Sequence, residues 1–329
     1  MTFRRQARTV RRTVVTMRHF HRRTGRAIAL AIGVILTAAA CGQGGASPRQ
    51  TLSVSPPAPG PGAKVMIIAE ENHGYDQIIG NPRAPYLNRL ATGYGTATDY
   101  DAGYPAHCPS LAAYILITSG TTGGICDDKD PRAHPLSGDN IFHQVSVSGR
   151  QWRGYAEAAT GNCALHGHGH YLVRHMPATY YLDARADCRR WAVPLGDEDA
   201  GALRDDIAAG ALPAFAFVSP DACHDMHGAA DCPLDKVGAG DRWLQAWLPR
   251  IMAGPDYRAG RLTVIITWDE GTRAGNHIPT VVIAPTVHHV VATPRLTPCS
   301  TLRFAEEQLR LPLLGCARDA TSLGPPFGL

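Results

Sequence analysis

Four short polar clusters interrupt the apolar runs of this chain: EENHGY (70–75), HCPS (107–110), SPDACHDMH (219–227) and TWDEG (267–271). Glu71, Asn72, Asp269 and Glu270 supply hard oxygen donors of the kind that hold a divalent cation. His224, Asp225 and His227 form a mixed nitrogen and oxygen set suited to a metal or a phosphate. The HCPS cluster brings three groups able to act as nucleophile or ligand, His107, Cys108 and Ser110, into four positions. One acidic residue after a strand is usually a cap or turn residue, but several such clusters meeting at one edge define a metal-assisted site. The alternating HGHGH of His166, His168 and His170 differs from these. It lies in a Gly-rich segment between Cys163 and Cys188 with no carboxylate alongside in sequence, and it reads as a solvated loop.

Three of the clusters follow runs that predict buried strands: VMII (65–68), FAFV (215–218) and LTVIIT (262–267). TVVIA (280–284) is a fourth such run. Ser110–Thr118 has helical character, as does DRWLQAWLPRIM (241–252), in which Trp243, Trp247 and Ile251 recur at helical spacing. The alternation predicts an α/β fold with a mostly parallel central sheet flanked by helices. Ligands of such sheets bind beyond the carboxyl ends of the strands, so the three clusters are expected to converge there. Neither repeats nor a composition break divides residues 63–329, which read as one catalytic domain.

The formal net charge of +4 is set by the N-terminus, where residues 1–69 contain no Asp or Glu and nine of the 32 Lys and Arg precede residue 27. The remaining 23 basic residues face 28 acidic ones, a net charge of about −5, so the basic balance gives no ground for a nucleic-acid partner. The apolar run AIALAIGVILTAAA (27–40) predicts an export signal over residues 1–40, too short for a comfortable membrane span. Small residues directly before Cys41 resemble a lipobox, with Ala38 where Leu is commoner. Cys41 is therefore the expected lipidation site, with plain secretion as the alternative. HRRTGR (21–26) also admits twin-arginine export, and Met17 an alternative start. Residues 41–62, rich in Gly, Pro and Ser, read as a flexible tether. The expected location is the outer face of the bacterial cytoplasmic membrane as a lipoprotein, or the medium. The eight cysteines after Cys41 are even in number, as a disulfide framework requires. Proximity suggests Cys108 with Cys126, Cys163 with Cys188, Cys223 with Cys232 and Cys299 with Cys316, among roughly 100 possible pairings.

EENHGY, the PSLxxY segment (109–114), FVSPDxCHDMH (217–227) and TWDEG followed by NHIPTVVIAP (276–285) resemble the bacterial phosphoesterase family. That family contains acid phosphatases, phospholipases C and phosphoinositide phosphatases and belongs to the alkaline-phosphatase-like superfamily. The likeness is greatest to its small secreted acid phosphatases and runs from about residue 64 to 314. It implies that Ser110 is the nucleophile and that Glu71, Asn72, Asp269 and Glu270 hold a divalent metal ion, of open identity and number. It further implies catalytic roles for Asp225, His227 and His175, and substrate contacts from His224, His277 and His107. A formylglycine sulfatase requires one residue between its Cys and Pro, whereas Cys108 abuts Pro109, so the spacing argues against that reading.

The chain departs from the family pattern in several places. Cys108 stands where the family has His, and Ala112 and Ala113 replace Pro-Asn. Met176 replaces an Asn, and Pro298, Cys299 and Ser300 replace His-Tyr-Ser. The expected function is an exported, metal-dependent phosphomonoesterase of the acid phosphatase type, acting on a phosphate ester through a phosphoserine. Two alternatives stand beside it: a phospholipase C-type phosphodiesterase, although such members are usually longer, and a catalytically weakened surface-binding homologue, motivated by Ala113 and Pro298. Membrane contact is expected only through a lipid at Cys41.

Overall fold

The computed structural model describes residues 62–105, 107–271 and 276–329. The export signal, Cys41 and all of the tether but Gly62 lie outside the described residues.

The four expected apolar runs become strands, and four further strands join them, eight in all. They are β1 (Lys64–Glu70), β2 (Gly95–Ala97), β3 (Trp152–Ala156), β4 (Ala192–Pro194), β5 (Phe215–Ser219), β6 (Leu262–Trp268), β7 (Thr280–Ile283) and β8 (Val290–Ala292). They form one eight-stranded sheet in the order β4-β3-β5-β1-β6-β7-β2-β8. Only β7 runs antiparallel to its neighbours. The helices are α1 (Tyr75–Ile78), α2 (Pro85–Gly93), α3 (Leu111–Ser119), α4 (Ile141–Val147), α5 (Arg185–Trp191), α6 (Ala202–Ala209), α7 (Lys236–Ala253), α8 (Pro255–Arg258) and α9 (Pro298–Gln308).

The central strand β1 is buried from Val65 to Glu70, so both of its faces are covered, as a parallel sheet demands. On one face lies α3, whose Tyr114 ring meets Phe217 of β5 edge-on at 5.9 Å between centroids. On the other face α6 takes a hydrogen bond from Tyr155 of β3, whose hydroxyl donates to Asp206 at 2.6 Å. β1 pairs with β5 through Ile68–Val218 and with β6 through Ile68–Ile266, which brings the ends of the three strands level.

The sequence LAAYILITS makes α3 apolar all round, and every one of its residues is buried. It ends at Gly120, whose φ of +72° closes the helix in the left-handed region. A side chain there would meet the Leu314 carbonyl oxygen at 2.7 Å, so glycine is required for close approach as well as for the turn. The helix α7 starts five residues earlier than its tryptophan periodicity shows, because Asp235 caps it by accepting a hydrogen bond from Gly238 N at 3.1 Å. The four disulfides join Cys108–Cys126, Cys163–Cys188, Cys223–Cys232 and Cys299–Cys316, the pairs suggested by proximity. Among the described residues no helix is long and apolar enough to cross a membrane.

Candidate active site

Backbone hydrogen bonds continue past the strand ends and join three of the polar clusters. Asp269 N donates to Glu70 O at 3.1 Å and Glu71 N to Asp225 O at 2.7 Å. Asn72 then turns the chain at φ +50°, a strained value for a side-chain-bearing residue, and its N–H donates to Asp269 Oδ1 at 3.1 Å. Met226 adopts φ +70° between Asp225 and His227, with its side chain against Gly240 of α7, where an added Cβ would fall 2.5 Å from Met226 Cγ.

Ser110 is the residue immediately before α3, and its hydroxyl makes no capping bond to the helix. The Leu111 N–H is taken instead by Asp128 Oδ1 at 3.0 Å. This leaves Ser110 Oγ free to donate to Glu71 Oε2 at 3.0 Å. The other oxygen of Glu71 accepts from the Tyr114 hydroxyl at 2.8 Å and lies 3.0 Å from His175 Nε2. His175 Nδ1 lies 3.4 Å from Asp225 Oδ2, and its ring stacks on Tyr114 with 4.8 Å between centroids. Glu71, His175 and Asp225 are essentially inaccessible to solvent.

Burial pushes the Glu71 carboxyl up, but the His175 charge 3.0 Å away, with the hydrogen bond from Tyr114, overcomes it and brings the group down to about 2. Burial likewise pushes His175 down, and Glu71 and Asp225 raise it to about 9. The pair is thus an imidazolium between two carboxyl groups. A carboxylate with so low a pKa is a poor base for a serine proton, so activation of Ser110 has to come from positive charge nearby.

Asp269 is buried beside the same serine, and burial followed by the charges of Glu71 and Glu270 raises it well above the carboxylate range. Glu270, which accepts from the Tyr104 hydroxyl at 3.1 Å, is raised by burial to about 7. Glu71 and Asp269 beside one hydroxyl, with Glu270 close enough to raise Asp269 further, are mutually repelling carboxyl groups of the kind that a divalent cation relieves. Asn72 fits the same picture. One end of its amide lies 2.9 Å from Glu71 Oε2 and within 3.1 and 3.3 Å of the two Asp269 oxygens. With nitrogen inward it donates to both carboxyl groups, and with oxygen inward it completes an all-oxygen set with Ser110, Glu71 and Asp269. The residues present therefore fit a hard divalent ion.

The remaining sequence-derived residues occupy other places. His227 flanks the site, its N–H donating to Asp225 Oδ1 at 2.8 Å and its Nδ1 lying 2.8 Å from Gly228 O. His224 sits between Glu157 and Asp221 rather than on Ser110. His277 stacks on Tyr75 at 4.6 Å and is exposed. His107 is exposed beside the Cys108–Cys126 disulfide. The HGHGH loop gains carboxylates from distant segments: His166 meets Asp130 at 2.7 Å, and His170 meets Asp231 at 3.0 Å. Sequence adjacency alone concealed these contacts.

Four residues beyond the sequence candidates complete the site: Tyr114, Tyr104, Asp128 and Arg174. Tyr114 was legible in principle, since it lies four residues after Ser110 and so shares its helix face. Arg174 was not. Its guanidinium forms an ion pair with Asp128 at 3.2 Å, the carboxylate that accepts from the Leu111 N–H next to the nucleophile, and its charge acts on Glu71. Two departures from the family pattern prove to be neighbours. Ala113 and Pro298 line one cavity of about 10 Å³ with Ala69, Phe217 and Asp269, so where polar side chains were expected the nucleophile's helix meets apolar space.

The His175–Glu71 pair sets a pH window. His175 is held above its ordinary 6.5, so its contribution is complete below that pH and lost as pH rises through about 9. Glu71 is held below its ordinary 4.5, so its contribution is complete above that pH and lost as pH falls through about 2. In the presence of chelator, His175→Gln should cost on the order of 3 kcal/mol between these windows and progressively less toward pH 9. Urea unfolding of both proteins from pH 5 to 9 checks this; a cost that stays constant with pH refutes it.

The Phosphoesterase family model matches residues 81–312. Over 313 residues the chain is 27% identical to the phosphatidylinositol-3-phosphatase of Mycobacterium tuberculosis, spanning 93% of this chain and 95% of that protein. Among solved structures, a protein of a glycosaminoglycan-metabolising locus of Bacteroides thetaiotaomicron aligns with a TM-score of 0.53 at 11% identity, over 81% of this chain and 82% of that one. The lipoteichoic acid synthase LtaP of Listeria monocytogenes aligns with a TM-score of 0.51 at 9% identity, over 75% and 72%. These two likenesses show the fold alone. With its α/β fold and mostly parallel sheet, the chain belongs to the Phosphoesterase family and is a hydrolase acting on phosphoric ester bonds.

Proposed function

We propose that the chain is an exported phosphomonoesterase that works through a phosphoserine at Ser110, with a divalent cation held by Glu71, Asn72, Asp269 and Glu270. The observation that carries this reading is the Ser110 hydroxyl at the start of α3, which donates to Glu71 instead of capping the helix. A cation bound there would lower the pKa of the serine hydroxyl and neutralise charge on the phosphoryl oxygens.

Ser110 Oγ attacks phosphorus in line with the leaving alcohol. The Oγ–P bond forms as the P–O bond to the alcohol breaks, and the serine proton passes to solvent. His227, whose Nε2 has no partner among the described residues, protonates the departing oxygen. Water then attacks the phosphoserine, inorganic phosphate leaves, and Ser110 regains its proton. His175 and Asp225 are directed at Glu71 and at each other, with no contact to Ser110, so they act as positioning residues that keep Glu71 ionised and fixed. Arg174 and the N-terminal end of α3 offset phosphoryl charge. The name of the mycobacterial relative supports a phosphomonoester substrate, and a lipid phosphate suits a chain tethered to a membrane face through Cys41.

Release of inorganic phosphate from para-nitrophenyl phosphate by the full disulfide-bonded chain should be abolished by Ser110→Ala and by chelator, and restored by a divalent metal. Phosphatidylinositol 3-phosphate vesicles should also yield phosphate. Release of phosphocholine from phosphatidylcholine without any monoester turnover would refute the monoesterase reading. Arg174→Gln should lower kcat/KM about ten- to a hundredfold, as expected for one lost bond to a charged group; an unchanged value removes Arg174 from the site. Cys41→Ser should move the protein from the membrane fraction to the medium, and an unaltered distribution argues against the anchor.

A further inference from the structure

We propose that Glu157, Asp221 and His224, backed by Glu70, form a second site for a divalent transition-metal cation, on the face of the sheet opposite Ser110. The register of the strands builds it. Ile68 pairs with Val218 across β1 and β5, and Ala156 pairs with Ser219 across β3 and β5. Carried two residues on, Glu70 comes level with Pro220; carried one residue on, so does Glu157. The ladder does continue, since Glu157 N donates to Ser219 O at 3.0 Å. Residues level in neighbouring parallel strands share a face, so Glu70 and Glu157 project to the same side. Glu71 and Ser219 project to the other, where Ser219 Oγ bonds the His175 carbonyl oxygen.

Asp221, one residue beyond that row, closes the cluster. Ligand atoms of Glu157, Asp221 and His224 all lie within 4.8 Å of one another. His224 Nδ1 stands 3.0 Å from Glu157 Oε2 and 3.2 Å from Asp221 Oδ1. The arrangement is held by the backbone: Asp221 N donates to Glu157 Oε2 at 3.0 Å and Cys223 N to Asp221 Oδ1 at 2.9 Å. The Cys223–Cys232 bridge closes the same turn. At the rim, His170 Nδ1 lies 4.0 Å from Asp221 Oδ2 and offers a fourth donor.

An independent observation points to an ion. Glu70 is completely buried, and neither of its carboxyl oxygens has a hydrogen-bond partner. Burial, above all, raises its pKa, and the charges that act on it are those of Asp225, His224, Glu157 and Glu71, so two members of the cluster lie within electrostatic reach. A buried carboxyl group left without donors is costly, and a cation between it and the Glu157–Asp221–His224 cluster supplies what is missing. One imidazole nitrogen with carboxylate oxygens favours Zn²⁺ or Mn²⁺ over Mg²⁺ or Ca²⁺.

The test is zinc content of the full disulfide-bonded chain by mass spectrometry after dialysis against buffered Zn²⁺. Asp269→Asn, which disables the Ser110 site, should retain one zinc per chain, and the Asp269→Asn/Glu157→Gln double variant should retain none. Zn²⁺ should raise the Tm of the first variant by several degrees and leave that of the second unmoved. Glu70→Gln, nearly isosteric with the acid, should fold as wild type and bind zinc at least tenfold more weakly in the Asp269→Asn background. Equal zinc content in Asp269→Asn and its Glu157→Gln derivative, both folded by circular dichroism, overturns the proposal. Failure of the Ser110 site would look different: wild type and Asp269→Asn would carry the same single zinc, still lost on Glu157→Gln.

Discussion

A carboxylate with no access to water, Glu71 at the end of the central strand, is the constraint around which this molecule is organised. An isolated buried charge of that kind would be prohibitively expensive, so every element near it is placed to supply a counter-charge or a donor. The 3₁₀ turn Val173–His175 brings the imidazole, α3 brings the Tyr114 and Ser110 hydroxyls, and the β5 extension brings Asp225 to hold the far side of His175. The nucleophile is positioned as a by-product of solving that electrostatic problem. Because the hydroxyl is spent on Glu71, α3 must borrow its cap from Asp128, and Asp128 in turn brings Arg174 within reach.

The same economy explains why carboxyl groups are crowded here at all. Parallel strands end side by side, and their next residues necessarily fall within a few ångströms of one another. Successive residues point to opposite faces, so the pair Glu70–Glu71 divides between two environments. Glu71 finds an imidazolium and two hydroxyls, while Glu70 finds none, next to a His224 already shared by Glu157 and Asp221. Two acidic neighbours in sequence therefore face opposite sides of the sheet and meet different partners, although the charges of Asp225 and Glu71 still reach Glu70.

The apolar replacements at Ala113 and Pro298 sit together against Asp269. Their joint effect is a drier surrounding for that carboxyl group, which strengthens every charge interaction it makes. The polar contacts near the nucleophile come from Tyr114, Tyr104 and Arg174, and Ser110 stays bonded to its carboxylate beside the apolar pair.

Much of this was legible in the amino-acid order. The apolar runs named the core strands, because a strand buried on both faces is built mostly of apolar residues, and the polar clusters directly after them marked the edge where Glu71, Asp225 and Asp269 meet. Proximity along the chain sufficed for the disulfides, since each closes a short loop. What the order of residues could not reveal was who faces whom across the sheet. The partners of Glu71, the borrowed cap at Asp128, the Arg174 ion pair and the carboxylates that His166 and His170 meet are all contacts between segments far apart in sequence. Their formation depends on register and on which face a side chain takes. A one-residue difference, as between Glu70 and Glu71, reverses that outcome, so the tertiary structure alone decided it.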